Sequence, residues 1–345
     1  MKVVHISPTY FSPESVVGGA ERYTLELAKA MARQTPTVLV SFGPKDFTRK
    51  VEDLTFRCYK TRHFLRGNIA NPLSVRFLPE VLSADVIHCH QFMNFTTDLA
   101  LVTGGLFRKK VFVTDLGGNT DLSASYHLPL WKNIRSFLFV SKFYCEVYRH
   151  LKVPSRVIPG GVDPHFFSPG GLHDPAKILY VGRIMPHKGI HDLVDALPEN
   201  MHLDIVGSPE EAPHYYEKLL SQSAGRNVSF HLSLSDNAVV EKFQCAFVTV
   251  LPATKDSGYT TALESLACET PVIAAATGSL PDIIEEGLTG FLVPPNSPAA
   301  LHERINYLVS NPKQAAEMGR RGRKQIIDKF SWDVVAKEYL KAYML

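Results

Sequence analysis

Short β-branched and aliphatic runs alternate with helical patterns from one end of the chain to the other. In the segment 21–31 the apolar residues Tyr23, Leu27 and Met31 recur at the i, i+4 and i+8 positions of an amphipathic helix. Such alternation is typical of βαβ units that build a parallel sheet. The predicted strands are residues 3–7, 37–42, 86–90, 111–114, 137–140, 178–181, 203–206, 247–251, 272–274 and 291–293. Further helices are predicted near residues 189–197, 236–245, 261–268 and 298–310.

The chain is long enough for two such sheets. It has 345 residues, and a single core stops growing at roughly 250 to 300 residues. Proline and glycine are dense between residues 158 and 171, which disfavours both helix and strand. We therefore expect an α/β fold of two Rossmann-like, doubly wound domains, residues 1–168 and 169–330, that face each other across a central cleft.

The last residues, 331–345, are predicted to form a helix that crosses back to the first domain. Val335, Tyr339 and Ala342 form an apolar stripe along it, and such a stripe needs a surface to cover it.

Composition excludes several classes of protein. Hydrophobic residues make up 45% of the chain and charged residues 21%, which is typical of a globular protein. The five cysteines are scattered and form no C-x-x-C pair, which argues against a disulfide framework and against a zinc site. The first seven residues fit a strand better than a signal peptide, and no apolar run reaches the roughly 18 residues of a membrane span. We therefore expect a cytoplasmic protein.

The small net charge of +3 conceals an asymmetry between the two halves. Residues 1–165 carry 21 Lys and Arg against 13 Asp and Glu, a net charge of +8, whereas residues 166–345 carry 16 against 21, a net charge of −5. A basic half favours anionic partners such as lipid phosphates, membrane surfaces or nucleic acid, and scattered solvated charge is the alternative interpretation.

Ligands of open α/β sheets bind beyond the carboxyl ends of the strands, so the loops that follow the strands are the place to look for chemistry. The loop after residues 178–181 reads G-R-x-x-x-x-K-G over residues 182–189 and leads into a helix. Gly182 lets a ligand approach the backbone, Arg183 offers a planar fork of donors, and Lys188 adds a compact charge beside a helix N-terminus. Together they suit a diphosphate, although Arg and Lys in a loop are often only surface charges.

A second loop follows residues 247–251 and carries two carboxylates. Asp256 is predicted to lie in the loop and Glu264 about one turn inside the next helix, with the amides of residues 257–260 directed at the same ligand. A carboxylate can accept two hydrogen bonds from the hydroxyls of a ribose or a sugar ring. The alternative is that Asp256 caps the helix and Glu264 is a half-buried helix residue.

A third loop ends in Gly18 and Gly19, just before the helix predicted at residue 21. A Gly-Gly pair at a helix N-terminus can receive a phosphate or let an acceptor come close to the backbone. The same pair is as often simply a turn.

Taken together, these motifs resemble those of the retaining glycosyltransferases of family four, a large group with the GT-B fold. The resemblance rests on the G-R-x-x-x-x-K-G spacing, the carboxylate pair, the stretch S-L-A-C-E-T-P-V-I-A over 265–274, and the glycine-rich segment 278–293. It extends over nearly the whole chain, from G-G-A-E at 18–21 through P-G-G-V-D at 159–163 to the Ser-Trp pair at 331–332.

The resemblance implies a role for each of these residues. Arg183 and Lys188 would hold the donor diphosphate, Glu264 the ribose hydroxyls, and Asp256 with the amides that follow it the transferred sugar. Residues 1–168 would be the acceptor side and residues 169–330 the donor domain. The residues expected to bind the donor are Gly18, Gly19, Gly182, Arg183, Lys188, Ser257, Gly258, Tyr259, Thr260 and Glu264.

The family works without a metal ion or cofactor, which agrees with the absence of an Asp-x-Asp cluster from the sequence. The expected partners are a nucleotide-sugar donor and a glycan, lipid-linked or small-molecule acceptor, and no nucleic acid.

Two positions depart from the family pattern. The family's second loop usually begins with Glu, whereas this chain has Asp256, which is one methylene shorter. Many relatives place a histidine after the strand at 111–114, where this chain has Asp115. Asp115 is therefore a candidate to face the sugar, and a turn or cap residue before Gly117 is the alternative.

The resemblance implies transfer with retention of the anomeric configuration, in glycan, polysaccharide or glycolipid assembly. No carboxylate pair of the kind found in retaining glycosidases is evident, so front-face transfer, with a donor phosphate oxygen accepting the acceptor proton, is the favoured route. The alternatives are a sugar-nucleotide epimerase of the same architecture and a nucleotide-sugar-binding scaffold with weakened catalysis. A dehydrogenase is disfavoured because no G-x-G-x-x-G follows the first strand.

One stretch of the basic half suggests a membrane. Between residues 49 and 66 cations alternate with the aromatic residues Phe56, Tyr59 and Phe64. Such a pattern suits the headgroup region of an anionic membrane, and the expected location is therefore cytoplasmic with peripheral contact to the inner face of a membrane. The alternative is an edge strand and loop whose aromatic side chains face the core.

Overall fold

A computed structural model of the chain describes residues 1–11, 18–116, 123–171, 173–255 and 259–345. The chain divides into two compact units. Unit 1 comprises Met1–Gly161 together with Trp332–Leu345, and unit 2 comprises Val162–Ser331. The first division therefore falls at Gly161, rather than at residue 168.

Unit 1 is built on a sheet in which eight strands are described. Their order is β3-β4-β2-β1-β5-β6-β7-β8, and all neighbours are parallel except the antiparallel pair β3 and β4. The strands are β1 (Val3–Ile6), β2 (Thr37–Gly43), β3 (Phe47–Val51), β4 (Leu54–Lys60), β5 (Val86–Cys89), β6 (Lys110–Val113), β7 (Ile134–Phe139) and β8 (Ser155–Val157).

Helices cover both faces of this sheet. The helices between the strands are α1 (Gly19–Ala32), α2 (Leu78–Ser83), α3 (Phe95–Leu106), α4 (Ala124–His127) and α5 (Lys142–Val147). One face packs against Val81 of α2 and Leu101 of α3, while the other packs against Leu27 of α1. The segment predicted as a helix at 21–31 is thus α1, and its predicted apolar face is buried.

Unit 2 is built on a second sheet, in which the six described strands are all parallel, in the order β11-β10-β9-β12-β13-β14. The strands are β9 (Asp174–Val181), β10 (His202–Val206), β11 (Val228–His231), β12 (Ala246–Leu251), β13 (Val272–Ala275) and β14 (Gly290–Val293). The two Rossmann-like α/β sheets predicted from the sequence are confirmed.

The helices of unit 2 lie between its strands and after β14. They are α6 (Ile190–Ala196), α7 (Pro213–Gln222), α8 (Asp236–Cys245), α9 (Tyr259–Ala267), α10 (Pro298–Ser310) and α11 (Pro312–Gln325). A single turn of π-helix, Ile326–Phe330, follows α11. Within the described parts of the chain, no helix is both long and apolar enough to cross a membrane.

The last helix, α12 (Trp332–Tyr343), belongs to unit 1 and completes its core. Tyr339 and Tyr343 are fully buried, and the Tyr339 hydroxyl contacts that of Tyr23 on α1. The Tyr343 hydroxyl lies 2.6 Å from Nδ1 of His88 on β5. The ring of Trp332 meets that of Tyr23 edge to face, with 5.4 Å between centroids. The apolar stripe predicted for this helix therefore packs on α1 and the sheet of unit 1.

The stretch between residues 49 and 66 does not present its aromatic side chains as a membrane surface. Phe56 on β4 is fully buried, and its ring stacks on that of Phe47 with 5.7 Å between centroids. Tyr59 is half-buried, and its hydroxyl donates to Glu80 Oε1 at 3.4 Å. Arg57 also donates to Glu80. Phe56 therefore faces the core, as in the alternative interpretation of an edge strand, while peripheral contact with a membrane stays a prediction.

Replacing Tyr343 by Phe should destabilise the protein. The substitution leaves Nδ1 of the buried His88 without its hydroxyl donor, and an unsatisfied buried polar group costs about 1 to 3 kcal/mol. Denaturant unfolding measures this loss. Tyr307→Phe is a matched control, because the Tyr307 hydroxyl donates to Gln314 at the surface and its loss should cost less than about 0.5 kcal/mol. Equal stabilities of the two variants would show that the Tyr343 contact contributes nothing.

Unit 1 should also lose stability in mild acid. Burial lowers the pKa of His5 from its ordinary value of 6.5 to about 3, and burial likewise holds the pKa values of His88 and His90 well below 6.5. Above pH 6.5 both folded and unfolded states are neutral at these positions. Below it the unfolded chain takes up protons that the folded state refuses, so each histidine should cost about 1.4 kcal/mol per pH unit until its folded pKa is reached.

Unfolding free energies measured from about pH 7.5 to about pH 5 should fall with this slope. The variant His5→Gln, which has nothing to titrate at that position, should show a shallower slope than the wild type. Identical slopes in the two proteins would contradict the assignment.

Candidate functional site

In unit 2 the candidate site lies where the sheet order reverses. The crossovers from β9 lead to β10 on one side, and β12 lies on its other side, so the loops after β9 and β12 leave the sheet beside each other. In doubly wound sheets the crevice at such a point is where ligands bind. The two loops are those that the sequence singled out, beginning at Gly182 and at Pro252.

Two glycines of the first loop have backbone conformations that other residues adopt with strain. Gly182 has φ 152°, and a Cβ there would lie 2.9 Å from the Tyr180 hydroxyl. Gly189 has φ 67°, and a Cβ there would lie 2.1 Å from the Pro252 carbonyl oxygen. The backbone amide of Thr254 donates to the His187 carbonyl at 2.9 Å. Close packing of the loop after β9 against the loop after β12 therefore requires glycine at residue 189.

Arg183 projects from this loop and is held by a carboxylate from a third loop. Its Nη1 lies 2.7 and 2.8 Å from the two carboxylate oxygens of Glu211, which follows β10. Both side chains are more than half exposed. An exposed ion pair of this kind contributes little stability, so an anionic ligand can take the place of Glu211 beside the guanidinium at small cost.

Positive charges converge around His187. The pKa of its imidazole is lowered from its ordinary value by partial burial and by the charges of Lys188, Arg183 and Lys255, while Glu211 acts in the opposite direction. Charges shift a pKa in this way only when they are close. The loops after β9 and β12 thus gather three cations at the carboxyl end of the sheet, which is the electrostatic environment that a diphosphate requires.

The second loop is described on either side of its tip. The predicted site residues Asp256, Ser257 and Gly258 lie outside the described residues, and their roles stay predictions. Tyr259 and Thr260 begin α9 at the carboxyl end of β12, and both are half-buried.

Glu264 lies further along the same helix and is also half-buried. Thr261 lies between Thr260 and Glu264 on this helix, and its Oγ1 is 3.4 Å from the Val181 carbonyl at the end of β9. The start of α9 is therefore close to the first loop.

In unit 1 the predicted glycine pair lies at the start of α1. Gly18 is the N-cap in extended conformation, and its carbonyl accepts from the Arg22 amide at 3.0 Å. A Cβ on Gly18 would lie 2.6 Å from Glu21 Oε2, whereas one on Gly19 would meet nothing within 4 Å. The backbone at Gly19 is therefore open to close approach, while the Glu21 carboxylate already lies near the first turn of the helix.

Asp115 follows β6 and is only 1% exposed. Its Oδ1 accepts from the Phe92 amide at 3.2 Å, and its Oδ2 accepts from the Tyr148 hydroxyl at 2.6 Å. These contacts are those of a structural turn residue, which was the alternative interpretation of this position. A role at the transferred sugar stays a prediction.

Among the described residues, three buried histidines of unit 1, His5, His88 and His90, bring ring nitrogens within 4.8 Å of one another. At that spacing the three nitrogens could bind a metal ion. Their hydrogen bonds argue for a structural network instead. His88 Nε2 lies 2.8 Å from Thr114 Oγ1 and its Nδ1 lies 2.6 Å from the Tyr343 hydroxyl, while His5 Nδ1 lies 2.7 Å from His90 Nε2. A metal ion would have to break most of these bonds to gain three ligands.

Sequence reasoning overlooked three residues of this site. His187 and Lys255 lie inside the two loops that it examined, and the strand-end rule that selected Lys188 applies equally to them. Glu211 could not be identified in this way. It lies beside Arg183 because β10 is the neighbour of β9 in the sheet, and the order of strands along the sequence does not show which strands are neighbours.

Comparisons with known proteins match each of the two units to a glycosyltransferase family model. Residues 163–325 match the family model described as glycosyl transferases group 1, and residues 17–166 match the model described as glycosyltransferase family 4.

An uncharacterized glycosyltransferase of Methanocaldococcus jannaschii is 24% identical over 387 residues, which span 100% of this chain and 98% of that relative. A D-inositol 3-phosphate glycosyltransferase of Acidothermus cellulolyticus is 32% identical over 213 residues, or 54% of this chain and 47% of that relative. This second alignment spans about half the length of each protein.

A crystal structure of Anabaena HepE in complex with UDP has the same fold. It superposes with a TM-score of 0.78 at 17% identity and covers 100% of both chains.

The His187 cluster makes a testable prediction about pH. An anion bound among Arg183, Lys188 and Lys255 would offset their charge and raise the pKa of His187. Binding should therefore be coupled to protonation, and the affinity for a nucleotide-diphosphate sugar should increase several-fold as the pH falls from about 7.5 to about 5.5. Titration calorimetry at several pH values measures this. The variant His187→Gln should bind with little pH dependence over that range, and a wild-type affinity independent of pH would contradict the arrangement.

Proposed function

Because this chain belongs to the glycosyltransferases of group 1 and family 4, which have the GT-B fold, we propose that it is a retaining hexosyltransferase that needs no metal ion. It transfers a sugar from a nucleotide-diphosphate donor to a hydroxyl acceptor, in the assembly of a glycan, polysaccharide or glycolipid. Since HepE, which has the same fold, was crystallised with UDP, a UDP-sugar is the first donor to test.

The observation that carries this proposal is the convergence of cations at the carboxyl ends of β9 and β12. The Thr254 amide, next to Lys255, donates to the His187 carbonyl at 2.9 Å, and Lys188 follows His187 directly, so the two loops bring their cations together. When the bond between the sugar and the diphosphate breaks, negative charge accumulates on the departing phosphate. Fixed cations stabilise that charge more in the transition state than in the ground state, which is the condition for catalysis.

The remaining donor contacts follow from the elements around these cations. Glu264, half-buried on α9, would accept hydrogen bonds from the ribose hydroxyls. Tyr259 and Thr260 lie at the start of α9, and their backbone amides would bind the same ligand. Asp256 would hold the hydroxyls of the transferred sugar, with the amides of Ser257 and Gly258 beside it.

Retention follows from transfer on the front face of the donor. The acceptor oxygen forms a bond to the anomeric carbon on the face from which the phosphate oxygen departs. The acceptor proton passes to that phosphate oxygen, so atoms and charge balance without an enzymic nucleophile. The cations of unit 2 stabilise the diphosphate while this exchange takes place.

Removing the charge of Lys188 should affect turnover far more than folding. We expect Lys188→Ala to lower kcat/KM for a UDP-sugar by about a hundredfold or more, the scale observed when one fixed stabiliser of developing charge is lost. Lys218→Ala, which removes an exposed lysine from α7, is the matched control and should retain wild-type activity. Wild-type turnover of the Lys188 variant would exclude the diphosphate assignment.

The stereochemical part of the proposal is tested separately. NMR of the product made from an α-linked donor should show an α linkage. A β linkage would leave the transferase assignment intact and overturn retention.

A further inference from the structure

The end of α3 exposes apolar side chains that the core of unit 1 does not need. Val102 and Leu106 lie one turn apart on the same side of the helix, with side chains 39% and 75% exposed. Phe107 follows directly and is 58% exposed. Exposing one such side chain is ordinary, but consecutive large apolar residues at a helix end form a patch that gains free energy when it leaves water.

Cations follow these apolar residues along the chain. Arg108, Lys109 and Lys110 follow Phe107 in the turn that leads into β6. Lys132 comes alongside from a second segment, because its neighbour Asn133 donates to the Leu101 carbonyl of α3 at 3.2 Å. We call these apolar residues and cations together the α3 patch: Val102, Leu106, Phe107, Arg108, Lys109, Lys110 and Lys132.

The charges of the α3 patch are not compensated by the protein. Neither residues 99–114 nor residues 127–137 include a single Asp or Glu. Lys109 and Lys110 donate to the backbone carbonyls of Ala84 and Tyr343, which are uncharged acceptors. No ion pair within the described ranges involves the four cations of the patch.

Several other cations of unit 1 are paired. Arg57 pairs with Glu80, and Arg76 pairs with Asp46 at 2.8 Å. In the α3 patch, by contrast, the cations take part in none of the ion pairs of the described residues, and they coincide with exposed apolar side chains.

We propose that the α3 patch binds the surface of an anionic phospholipid bilayer. Leu106 and Phe107 would enter the boundary between headgroups and acyl chains, and the four cations would meet the lipid phosphates around them. Nucleic acid would satisfy the cations but would leave both apolar side chains in water. An acidic bilayer surface satisfies both components of the patch at once.

The position of the α3 patch within unit 1 is compatible with catalysis. Arg108 and Lys109 precede β6, so the patch lies at the amino ends of the strands. Gly19 and Asp115 lie at the opposite, carboxyl ends of the same sheet. A unit held by the patch keeps those ends of its sheet uncovered.

Co-sedimentation of the full chain with vesicles tests the proposal. The wild type should bind vesicles of phosphatidylcholine and phosphatidylglycerol (about 7:3) at low salt and bind pure phosphatidylcholine much more weakly. Binding should decline at physiological salt, where the Debye length is about 8 Å. Each cation near such a surface contributes about a fivefold factor, so Arg108→Gln with Lys109→Gln should weaken binding by about tenfold or more.

Two further variants separate the components. Leu106→Ser with Phe107→Ser keeps all four charges and should also lose at least about tenfold in binding. Lys45→Gln with Lys50→Gln removes the same charge from the sheet edge at β3 and should bind as the wild type does. Circular dichroism should show all three variants folded, and their turnover with a soluble acceptor should be unchanged, which separates this proposal from the transferase assignment.

Two results would overturn the proposal. One is failure of the wild type to sediment with anionic vesicles at low salt. The other is a loss of binding that is equal in the control variant at Lys45 and Lys50 and in the variant at Arg108 and Lys109.

Discussion

Unit 1 depends on a helix that the chain supplies only at residues 332–343. Its sheet buries three histidines, of which His88 lies under α12 while His5 and His90 contact α1, and the hydroxyl of Tyr343 satisfies His88 across 255 positions of sequence. Without α12, the Tyr23 side chain and His88 would face water or remain unpaired in the core. A buried polar network is stable only when its members are satisfied. The chain must therefore leave unit 1 at Gly161 and return at Trp332 before the core of unit 1 is complete.

The candidate site of unit 2 follows from the parallel topology of its sheet. With β9 between β10 and β12, three loops leave the same edge, and each contributes a charged residue: Arg183, Glu211 and Lys255. Local sequence decides how close the loops can come. Gly189 permits contact with the Pro252 carbonyl that any side chain would block. Topology therefore brings the charges to one edge, and a glycine lets them approach within range of His187.

The strands that sequence predicts and those that it misses differ in burial. Strands β1, β5 and β12 are buried along their whole length, so an apolar run marks them. By contrast, β8 is exposed throughout and β11 is half-buried, and neither carries an apolar run. In β4, burial alternates along the strand, and cations therefore alternate with apolar and aromatic residues in its sequence. The same period-two pattern can describe a membrane surface or an edge strand, and only the sheet decides between them.

Only the structure shows where the excess positive charge of the first half lies on the surface. Counting residues gives an excess of cations but not which of them have partners. Arg57 and Arg76 are neutralised by carboxylates distant in sequence, whereas Arg108 and Lys109 are not. Of the predicted site, the cations Arg183 and Lys188 could be found from one loop and its strand. Residues whose roles depend on a partner from another element, such as Glu211 beside Arg183 or Tyr148 beside Asp115, could not. Pairing is a property of the fold, and it separates charge that stabilises the protein from charge available to a ligand.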